Sequence, residues 1–209
     1  MRRADLTGLV LCGGASRRMG TDKATLELQG RTLLQRAVDR LDGVCAEVVL
    51  AAGPEPRYAD LQREQVVDRY RDAGPLAGLE AGLDRTRTPW MAALACDMPQ
   101  AEPELFERML ERAAQDRLDA CLFESRSGPE PLCGVYSRSC LTSVRAALDA
   151  GQRKVLAFES FPTEGGELPK VGWLREAELD EGLRERECAF NVNTPPDLLR
   201  ARANKRALP

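Results

Sequence analysis

The sequence predicts a doubly wound α/β domain with a mainly parallel sheet. Short apolar runs alternate with segments of helical spacing along nearly the whole 209-residue chain. Several of these runs end in glycine or aspartate. Ligands of such sheets lie outside the carboxyl ends of the strands. We therefore expect the residues that directly follow the predicted strands to share one crevice.

The first third of the chain predicts two strands and a helix. Residues 6–11 form an apolar run that enters a glycine-rich loop, and residues 25–28 are extended before a turn. Thr32 can cap a helix over residues 33–41, because the apolar side chains after it recur with helical spacing. Residues 46–52 predict a second buried strand.

The middle third continues the alternation. Residues 58–63 predict a short helix, and residues 65–67 predict a short strand. Residues 90–96 form a continuous apolar run, which is typical of a central parallel strand. Residues 103–115 have the spacing of an amphipathic helix.

A helix that begins at Pro75 carries two glycines on one face. Proline is favoured at the first helical position, because its missing N–H is not needed there. Gly78 and Gly82 lie four residues apart, although glycine weakens a helix by about 1 kcal/mol relative to alanine. The sequence favours neither of two explanations, a ligand against this face or a closely packed sheet.

The last third alternates in the same way. Its predicted elements are strands over residues 120–123, 131–136 and 170–173, helices over 138–150 and 195–205, a helical turn over 154–158, loops over 125–130 and 160–166, and a charged surface segment over 175–187. Thr194 is predicted to cap the last helix, with Pro195 as its first residue and Asp197 as a capping-box acid.

The composition predicts one soluble domain over residues 1–209, since this length suits a single core and no repeat or linker interrupts it. The net charge is −3, which provides no basic field for nucleic acid. No apolar run is long enough to cross a membrane. The first apolar run is short and ends in glycines, so we expect no signal peptide.

The chain has seven cysteines and no histidine. No two cysteines are spaced as Cys-x-x-Cys, so we expect reduced, mostly buried thiols in a cytosolic protein and no zinc site. Without histidine, Ser-His-Asp and Cys-His catalysis are excluded. Acid–base or metal chemistry is left to Asp, Glu, Lys, Arg, Asn or the backbone.

The loop at residues 11–23 has the sequence Leu-Cys-Gly-Gly-Ala-Ser-Arg-Arg-Met-Gly-Thr-Asp-Lys. Exposed N–H groups together with guanidinium and ammonium groups can bind a polyphosphate. The loop matches neither the Walker A motif nor Gly-x-Gly-x-x-Gly. Its basic side chains suit a departing pyrophosphate. The alternative is a strand-to-helix turn with solvated basic side chains.

Four polar residues follow other strands. Asp97 ends the apolar run of residues 90–96, and a carboxylate there suits Mg²⁺, although it could also shape the turn before Pro99. Asp68 could accept hydrogen bonds from a base or ribose. Asn191 and Asn193 alternate, so they share one side of an extended segment and could orient a phosphate or a second metal-bound group.

Five motifs, in order, carry a resemblance to a known family. They are the loop of residues 11–23, Gly74-Pro75-Leu76-Ala77-Gly78, Cys96-Asp97-Met98-Pro99, Pro131-Leu132-Cys133-Gly134-Val135-Tyr136 and Asn191-Val192-Asn193-Thr194-Pro195. The first resembles the signature of nucleotidyltransferases. All five together resemble the molybdenum cofactor guanylyltransferases, and they span nearly the whole chain.

The resemblance implies a Rossmann-like nucleotidyltransferase fold of three α/β/α layers. It implies transfer of GMP from GTP to the terminal phosphate of molybdopterin, with Mg²⁺ as cofactor. Proteins of molybdenum insertion and molybdoenzyme maturation are implied as partners.

The resemblance also assigns roles to residues. Arg18, Lys23 and Asp97 would be catalytic, with Arg18 and Lys23 on the phosphates and Asp97 on the metal. Asn191 and Asn193 would contact the acceptor. The implied nucleotide-binding residues are Leu11, Cys12, Gly13, Gly14, Lys23, Asp68, Gly74, Gly78 and Asp97.

Three departures from the family pattern are visible. The loop has one residue fewer before Asp22, Cys12 stands where alanine is frequent, and Ala52-Gly53 stands where asparagine is frequent. Three alternatives stay open: a cytidylyltransferase on the same pterin, a nucleotidyltransferase on a sugar or alcohol phosphate, and a nucleotide sensor without turnover. Retention of Lys23 and Asp97 with Arg18 argues against the sensor.

Overall fold

A computed structural model describes residues 2–13, 22–188 and 190–203. Its main sheet has seven strands in the order β5-β4-β1-β6-β8-β7-β9. The strands are β1 (Arg3–Leu11), β4 (Cys45–Ala51), β5 (Gln65–Val66), β6 (Trp90–Ala95), β7 (Ala120–Ser125), β8 (Gly128–Ser137) and β9 (Val171–Arg175), and a separate hairpin pairs β2 (Glu27–Leu28) with β3 (Arg31–Thr32).

The sheet is mainly parallel, as the sequence predicts. β1 pairs in parallel with β4 and β6, β4 with β5, and β7 with β9. β8 runs antiparallel to both of its neighbours, β6 and β7. The predicted edge strand near residue 170 is confirmed as β9 at one end of the sheet.

The prediction of a loop over residues 125–130 is wrong. Ser125 pairs with Gly128 and Phe123 with Glu130, so β7 and β8 form a tight hairpin. The Ser125 hydroxyl accepts from Ser127 N–H at 3.1 Å and closes the turn, and Gly128 takes φ +125°. The polar, glycine- and proline-containing sequence concealed the pairing, because the backbone pairing of two strands does not require apolar side chains.

Helices cover both faces of the sheet. The α-helices in the described part of the chain are α1 (Leu33–Asp42), α2 (Pro75–Arg85), α3 (Pro103–Asp116), α4 (Cys140–Asp149), α5 (Glu181–Glu185) and α6 (Pro195–Ala203), and α6 packs near the β2–β3 hairpin. Each face of the sheet has its own hydrophobic core. Side chains of β1 enter the two cores in turn, because successive side chains of a strand point to opposite faces. Leu6 and Val10 pack with α1 and α3, whereas Leu9 and Leu11 pack with α2 and α4.

Predicted helix caps are present. Thr32 Oγ1 accepts from Gln35 N–H at 3.1 Å, and the Gln35 side chain accepts from Thr32 N–H at 2.9 Å. Before α6, Asp197 Oδ2 accepts from the N–H groups of Asn193 and Thr194 at 3.0 and 2.8 Å. This second cap fixes the chain just after the Asn-Val-Asn segment.

Two other predictions have clear outcomes. All seven cysteines are free and buried, as expected. The charged segment of residues 175–187 is mostly at the surface, but Leu179 and Leu183 anchor it in the core at 2% and 0% exposure. Within the described parts of the chain, each helix is too short or too polar to span a lipid bilayer.

Candidate active site

The carboxyl ends of β4, β1 and β6 meet at one edge of the sheet, because the three strands are parallel neighbours. The chain leaves this edge at Cys12 after β1 and at Cys96-Asp97 after β6. Cys96 N–H donates to Leu11 O at 3.1 Å, so the two exits lie side by side. The ends of β1 and β6 therefore meet where the sequence predicts one shared crevice, but Asp97 and Asp68 line different cavities there.

Lys23 joins two of the predicted polar residues at the crevice. Its ammonium lies 3.5 Å from Asp97 Oδ2 and donates to Asn193 Oδ1 at 2.7 Å. The Asp22 side chain accepts from Ala24 N–H at 3.1 Å and caps the short helical turn on which Lys23 lies. Burial raises the pKa of Asp97, and the nearby Lys23 charge opposes that rise.

The Asn-Val-Asn segment is hydrogen-bonded to the backbone of Asp97. Val192 N–H donates to Asp97 O at 2.8 Å, and the Val192 side chain is fully buried with Leu28 and Leu33. In an extended segment the residues on either side of Val192 point the other way. Asn191 and Asn193 therefore face the Asp97 side, as their alternation predicts.

Glu130, on β8, is a site residue that the sequence analysis missed. Asn191 Nδ2 donates to Glu130 Oε1 at 2.7 Å. Burial raises the pKa of Glu130, the Asn191 hydrogen bond lowers it, and the charge of Asp97 raises it further. Its only sequence signal is its position directly before the Pro131–Tyr136 motif, and the predicted loop hid that signal.

Asp97 lies at a cavity of about 420 Å³, the Asp97 cavity. Its wall combines carboxylates and amides with apolar side chains. The lining residues are Pro75, Ala95, Asp97, Met98, Pro129, Glu130, Pro131, Leu132, Lys154, Val155, Leu156, Asn191 and Asn193. A partly apolar cavity with a few convergent polar groups suits a small organic ligand.

A second cavity of about 630 Å³, the Asp68 cavity, adjoins the end of β1. It is lined by Gly13, Ala52, Gly53, Pro54, Glu55, Arg57, Asp68, Arg71, Asp72 and Gly74. Asp68 Oδ1 is buried without a hydrogen-bond partner among the described residues. Burial raises the pKa of Asp68, and the charge of Glu80 adds to the rise.

The backbone at Gly13 passes unusually close to that of Gly53. A Cβ atom on Gly13 would lie 2.5 Å from Gly53 N, so only glycine fits. The N–H groups of Cys12 and Gly13 both donate to Ala51 O, at 3.0 and 2.9 Å. Contact of Leu11, Cys12 and Gly13 with a base stays a prediction, and Gly14 and Arg18 lie outside the described residues.

The beginning of α2 separates the two cavities. Gly74 has φ +69° and lines the Asp68 cavity, whereas Pro75, the next residue, lines the Asp97 cavity. A Cβ atom on Gly82 would lie 2.3 Å from Leu9 Cδ2, and one on Gly78 would lie 3.3 Å from Leu11 Cδ2. Close packing on the sheet therefore accounts for this glycine face, and a nucleotide contact of Gly78 stays a prediction.

Tyr58 and Arg57 hold the end of the glycine-rich loop, and the sequence analysis missed both. The Tyr58 hydroxyl donates to Asp22 Oδ2 at 2.7 Å, and Arg57 lies 3.5 Å from the same oxygen. Arg57 also donates to Cys12 O at 3.3 Å. These bonds tie together Cys12 and Asp22, which flank the undescribed part of the loop.

Cys12 is a packing residue, as expected. Its Sγ donates to Ala51 O at 3.4 Å, and burial raises the pKa of the thiol to about 12. A thiol with such a pKa is a poor nucleophile at neutral pH. The described residues also include no cluster of three or more acidic, cysteine or histidine side chains that could hold a metal ion.

Comparisons with known proteins show which family this chain belongs to. A family model described as the MobA-like NTP transferase domain matches residues 8–164. The "Probable molybdenum cofactor guanylyltransferase" of Pelotomaculum thermopropionicum is 36% identical over 197 residues, which cover 94% of this chain and 91% of that protein. The molybdenum cofactor guanylyltransferase of Desulfosudis oleivorans is 30% identical over 199 residues, which cover 95% of each.

A solved structure is also similar. The crystal structure of molybdopterin-guanine dinucleotide biosynthesis protein A from Archaeoglobus fulgidus has a TM-score of 0.78 to this chain at 26% identity. The match covers 94% of this chain and 96% of that one.

Proposed function

The chain belongs to the MobA-like NTP transferase family, and from this premise we propose that it is a Mg²⁺-dependent molybdenum cofactor guanylyltransferase. In the proposed reaction it transfers GMP from GTP to the terminal phosphate of molybdopterin. An oxygen of that phosphate forms a bond to the α-phosphorus of GTP, the bond to the β-phosphate oxygen breaks, and pyrophosphate leaves with that electron pair.

One observation carries the proposal: the Lys23 ammonium contacts both Asp97 and Asn193 at the edge of the sheet, and these two residues line the same cavity. Phosphoryl transfer depends on positioning and on stabilisation of charge more than on covalent chemistry by the protein. An ammonium between a carboxylate and an amide supplies both. Lys23 would neutralise the leaving pyrophosphate, together with Arg18 of the undescribed loop.

The residues present fit a magnesium ion. Mg²⁺ is usually held by one or two carboxylates, substrate phosphates and water rather than by a cage of protein ligands. Asp97 offers a partly buried carboxylate, and the Lys23 ammonium lies 3.5 Å from its Oδ2. The metal would supply charge neutralisation at the phosphates. Asp97 would hold it, and Lys23 would keep that carboxylate ionised.

The two cavities would divide the substrates. We assign the Asp68 cavity to the nucleoside of GTP, with Gly13, Gly74 and the Asp68 carboxylate in its wall. The buried and unpartnered Asp68 Oδ1 supports this assignment, because such an oxygen requires a hydrogen-bond donor, which a base or ribose supplies. We assign the Asp97 cavity to the acceptor, with Asn191 and Asn193 as its contacts.

The test is an assay of purified protein with molybdopterin, Mg²⁺ and GTP, CTP or ATP in turn. Pyrophosphate and nucleotide-bearing pterin are scored together, and GTP is expected to be preferred. Equal release with CTP would defeat the guanylyl assignment and leave nucleotidyl transfer standing. Tight GTP binding without product would favour a sensor. A sugar phosphate replaces molybdopterin in a parallel reaction, where no product is expected.

A further inference from the structure

The side-chain amides of Asn191 and Asn193 each contact a charged group of a single hydrogen-bonding sense. Asn191 Nδ2 donates to Glu130 Oε1 at 2.7 Å, and a carboxylate only accepts. Asn193 Oδ1 accepts from the Lys23 ammonium at 2.7 Å, and an ammonium only donates. The chemistry of the partners therefore holds the two amides in opposite orientations.

The part of each amide that is left for a ligand also differs between Asn191 and Asn193. Both residues line the Asp97 cavity. With its NH₂ group on Glu130, Asn191 is left with a carbonyl oxygen, which is a hydrogen-bond acceptor. With its carbonyl on Lys23, Asn193 is left with an NH₂ group, which is a donor. The buried Val192 and its 2.8 Å bond to Asp97 O fix the backbone that carries both.

Glu130 is held on a strand of the sheet rather than on a loop. It pairs with Phe123 of β7, and the Ser125 hydroxyl donates to the same Oε1 at 3.4 Å. Pro129 and Pro131 on either side also line the cavity. A side chain on a paired strand positions a neighbouring side chain more precisely than one on a free loop, because the strand backbone is fixed by hydrogen bonds.

We propose that Glu130 is a positioning residue for the acceptor. It holds the Asn191 amide so that the carbonyl oxygen faces the cavity and accepts a hydrogen bond from an N–H or O–H group of the acceptor. This inference rests on the proposed function, because it takes the Asp97 cavity as the acceptor side. The inference limits the acceptor substrate to molecules that carry a hydrogen-bond donor facing Asn191, such as a polar heterocycle with N–H groups.

The Glu130–Asn191 hydrogen bond is tested first without any reaction. Glu130→Met removes the acceptor atom at similar length, whereas Glu130→Gln keeps a carbonyl. In ¹⁵N-labelled protein the side-chain NH₂ resonance of Asn191, assigned by its loss in Asn191→Asp, is expected to shift in Glu130→Met and to move far less in Glu130→Gln. An unchanged resonance in Glu130→Met would overturn the proposal, whatever the substrate.

Kinetics with molybdopterin test the consequence. Glu130→Met is expected to raise the KM for the acceptor about tenfold and to leave GTP affinity within about twofold. Glu130→Gln is expected to stay within about threefold of the wild type in both. The matched control is Glu124→Met on β7, a partly exposed carboxylate paired with Arg175, which should change neither. An equal loss of GTP affinity in Glu130→Met would overturn the assignment to the acceptor.

A double exchange tests the sense of the hydrogen bond. Asn191→Asp alone sets two carboxylates against each other, whereas Asn191→Asp with Glu130→Gln reverses the bond and keeps an oxygen toward the cavity. Asn191→Asp alone is expected to raise the KM for the acceptor, and the double variant is expected to reverse most of that rise. Equal losses would overturn the proposal. Wild-type protein without transferase activity would refute the proposed function instead, and the Asn191 resonance would still decide the role of Glu130.

Discussion

The two cavities at the carboxyl edge of the sheet are lined by different kinds of residue. The Asp68 cavity is lined by three glycines beside charged side chains, and two of these glycines, Gly13 and Gly53, are in near contact. The Asp97 cavity is enclosed by side chains from β6, β8 and the segment before α6, which are joined by hydrogen bonds. Substitutions should therefore damage the first by steric conflict and the second by loss of charge or of a hydrogen-bond partner.

The largest effect is expected at Asp97. Asp97→Ala removes the carboxylate that would hold the metal, and we expect turnover to fall about 10³-fold. Circular dichroism and thermal unfolding check that the fold is kept. GTP affinity is measured separately by equilibrium binding with and without Mg²⁺. Near-normal pyrophosphate release from the folded variant would disprove the metal assignment.

Lys23→Ala is expected to lower turnover about 10²-fold, because it removes the cation between Asp97 and Asn193. Burial then raises the pKa of Asp97 without the opposing charge and hydrogen bond of Lys23. The acid limb of the pH–rate profile should therefore move to higher pH in this variant. Lys170→Ala, at an exposed position, is the control. An unmoved acid limb would show that Lys23 does not support the ionised form of Asp97.

Gly13→Ala tests the steric side of the comparison. The new Cβ atom would lie 2.5 Å from Gly53 N and 2.8 Å from Ala52 C, so backbone must shift. We expect a loss of about 1–3 kcal/mol in the free energy of unfolding and a larger relative loss of GTP affinity than of molybdopterin affinity. Gly165→Ala is the control, since its nearest contact would be 3.7 Å away. Equal losses for both substrates would contradict the division of the cavities.

The sequence predicts those features of the two cavities that depend on residues close together in the chain. Glycines at Gly13 and Gly74 and a carboxylate after an apolar strand are local signals, because close backbone approach and strand ends impose residue types at fixed positions. The alternation of Asn191 and Asn193 is also local. Apolar runs, which are also local signals, predicted the strands and the mainly parallel sheet.

Partnerships across distant segments leave no local signal. Glu130 meets Asn191 across 61 positions, and Tyr58 meets Asp22 across 36. Each residue is ordinary in its own neighbourhood, and only the assembled sheet shows its role. The hairpin between β7 and β8 was concealed for a related reason, because pairing through the backbone does not require a characteristic side-chain pattern.

Tyr58→Phe is expected to have a moderate effect on the nucleotide side. It removes the hydroxyl that donates to Asp22 Oδ2 and leaves the aromatic ring in place. We expect the KM for GTP to rise about fivefold, because loss of one hydrogen bond loosens the support of Asp22 at the end of the glycine-rich loop. Tyr70→Phe is the matched control, since Tyr70 makes a similar bond to Asp149 at a more exposed position. A larger effect on molybdopterin than on GTP would contradict this placement.

The smallest effect is expected from Asp68→Asn. This substitution should raise the stability of the protein and lower its affinity for GTP. Burial raises the pKa of this carboxylate in the folded state, so the native protein binds more protons than the unfolded chain between the two pKa values. The ionised Asp68 therefore lowers stability as pH rises through this range, and the lost stability stays absent at neutral pH. Asp68→Asn is expected to raise Tm by a few degrees at pH 7.

This gain should disappear when the pH falls below the ordinary pKa of aspartate, because the wild-type carboxyl is then neutral in both states. GTP affinity should fall in the same variant, since the oxygen proposed to accept from the nucleoside is weakened. Asp72→Asn, at the exposed rim of the same cavity, is the stability control. A lower Tm for Asp68→Asn at pH 7 would mean that the Asp68 carboxylate stabilises the fold rather than being kept, at a cost in stability, for the nucleotide. Asp68 would then be a structural residue of the sheet edge, and its assignment as a hydrogen-bond acceptor for the nucleoside would lose its support.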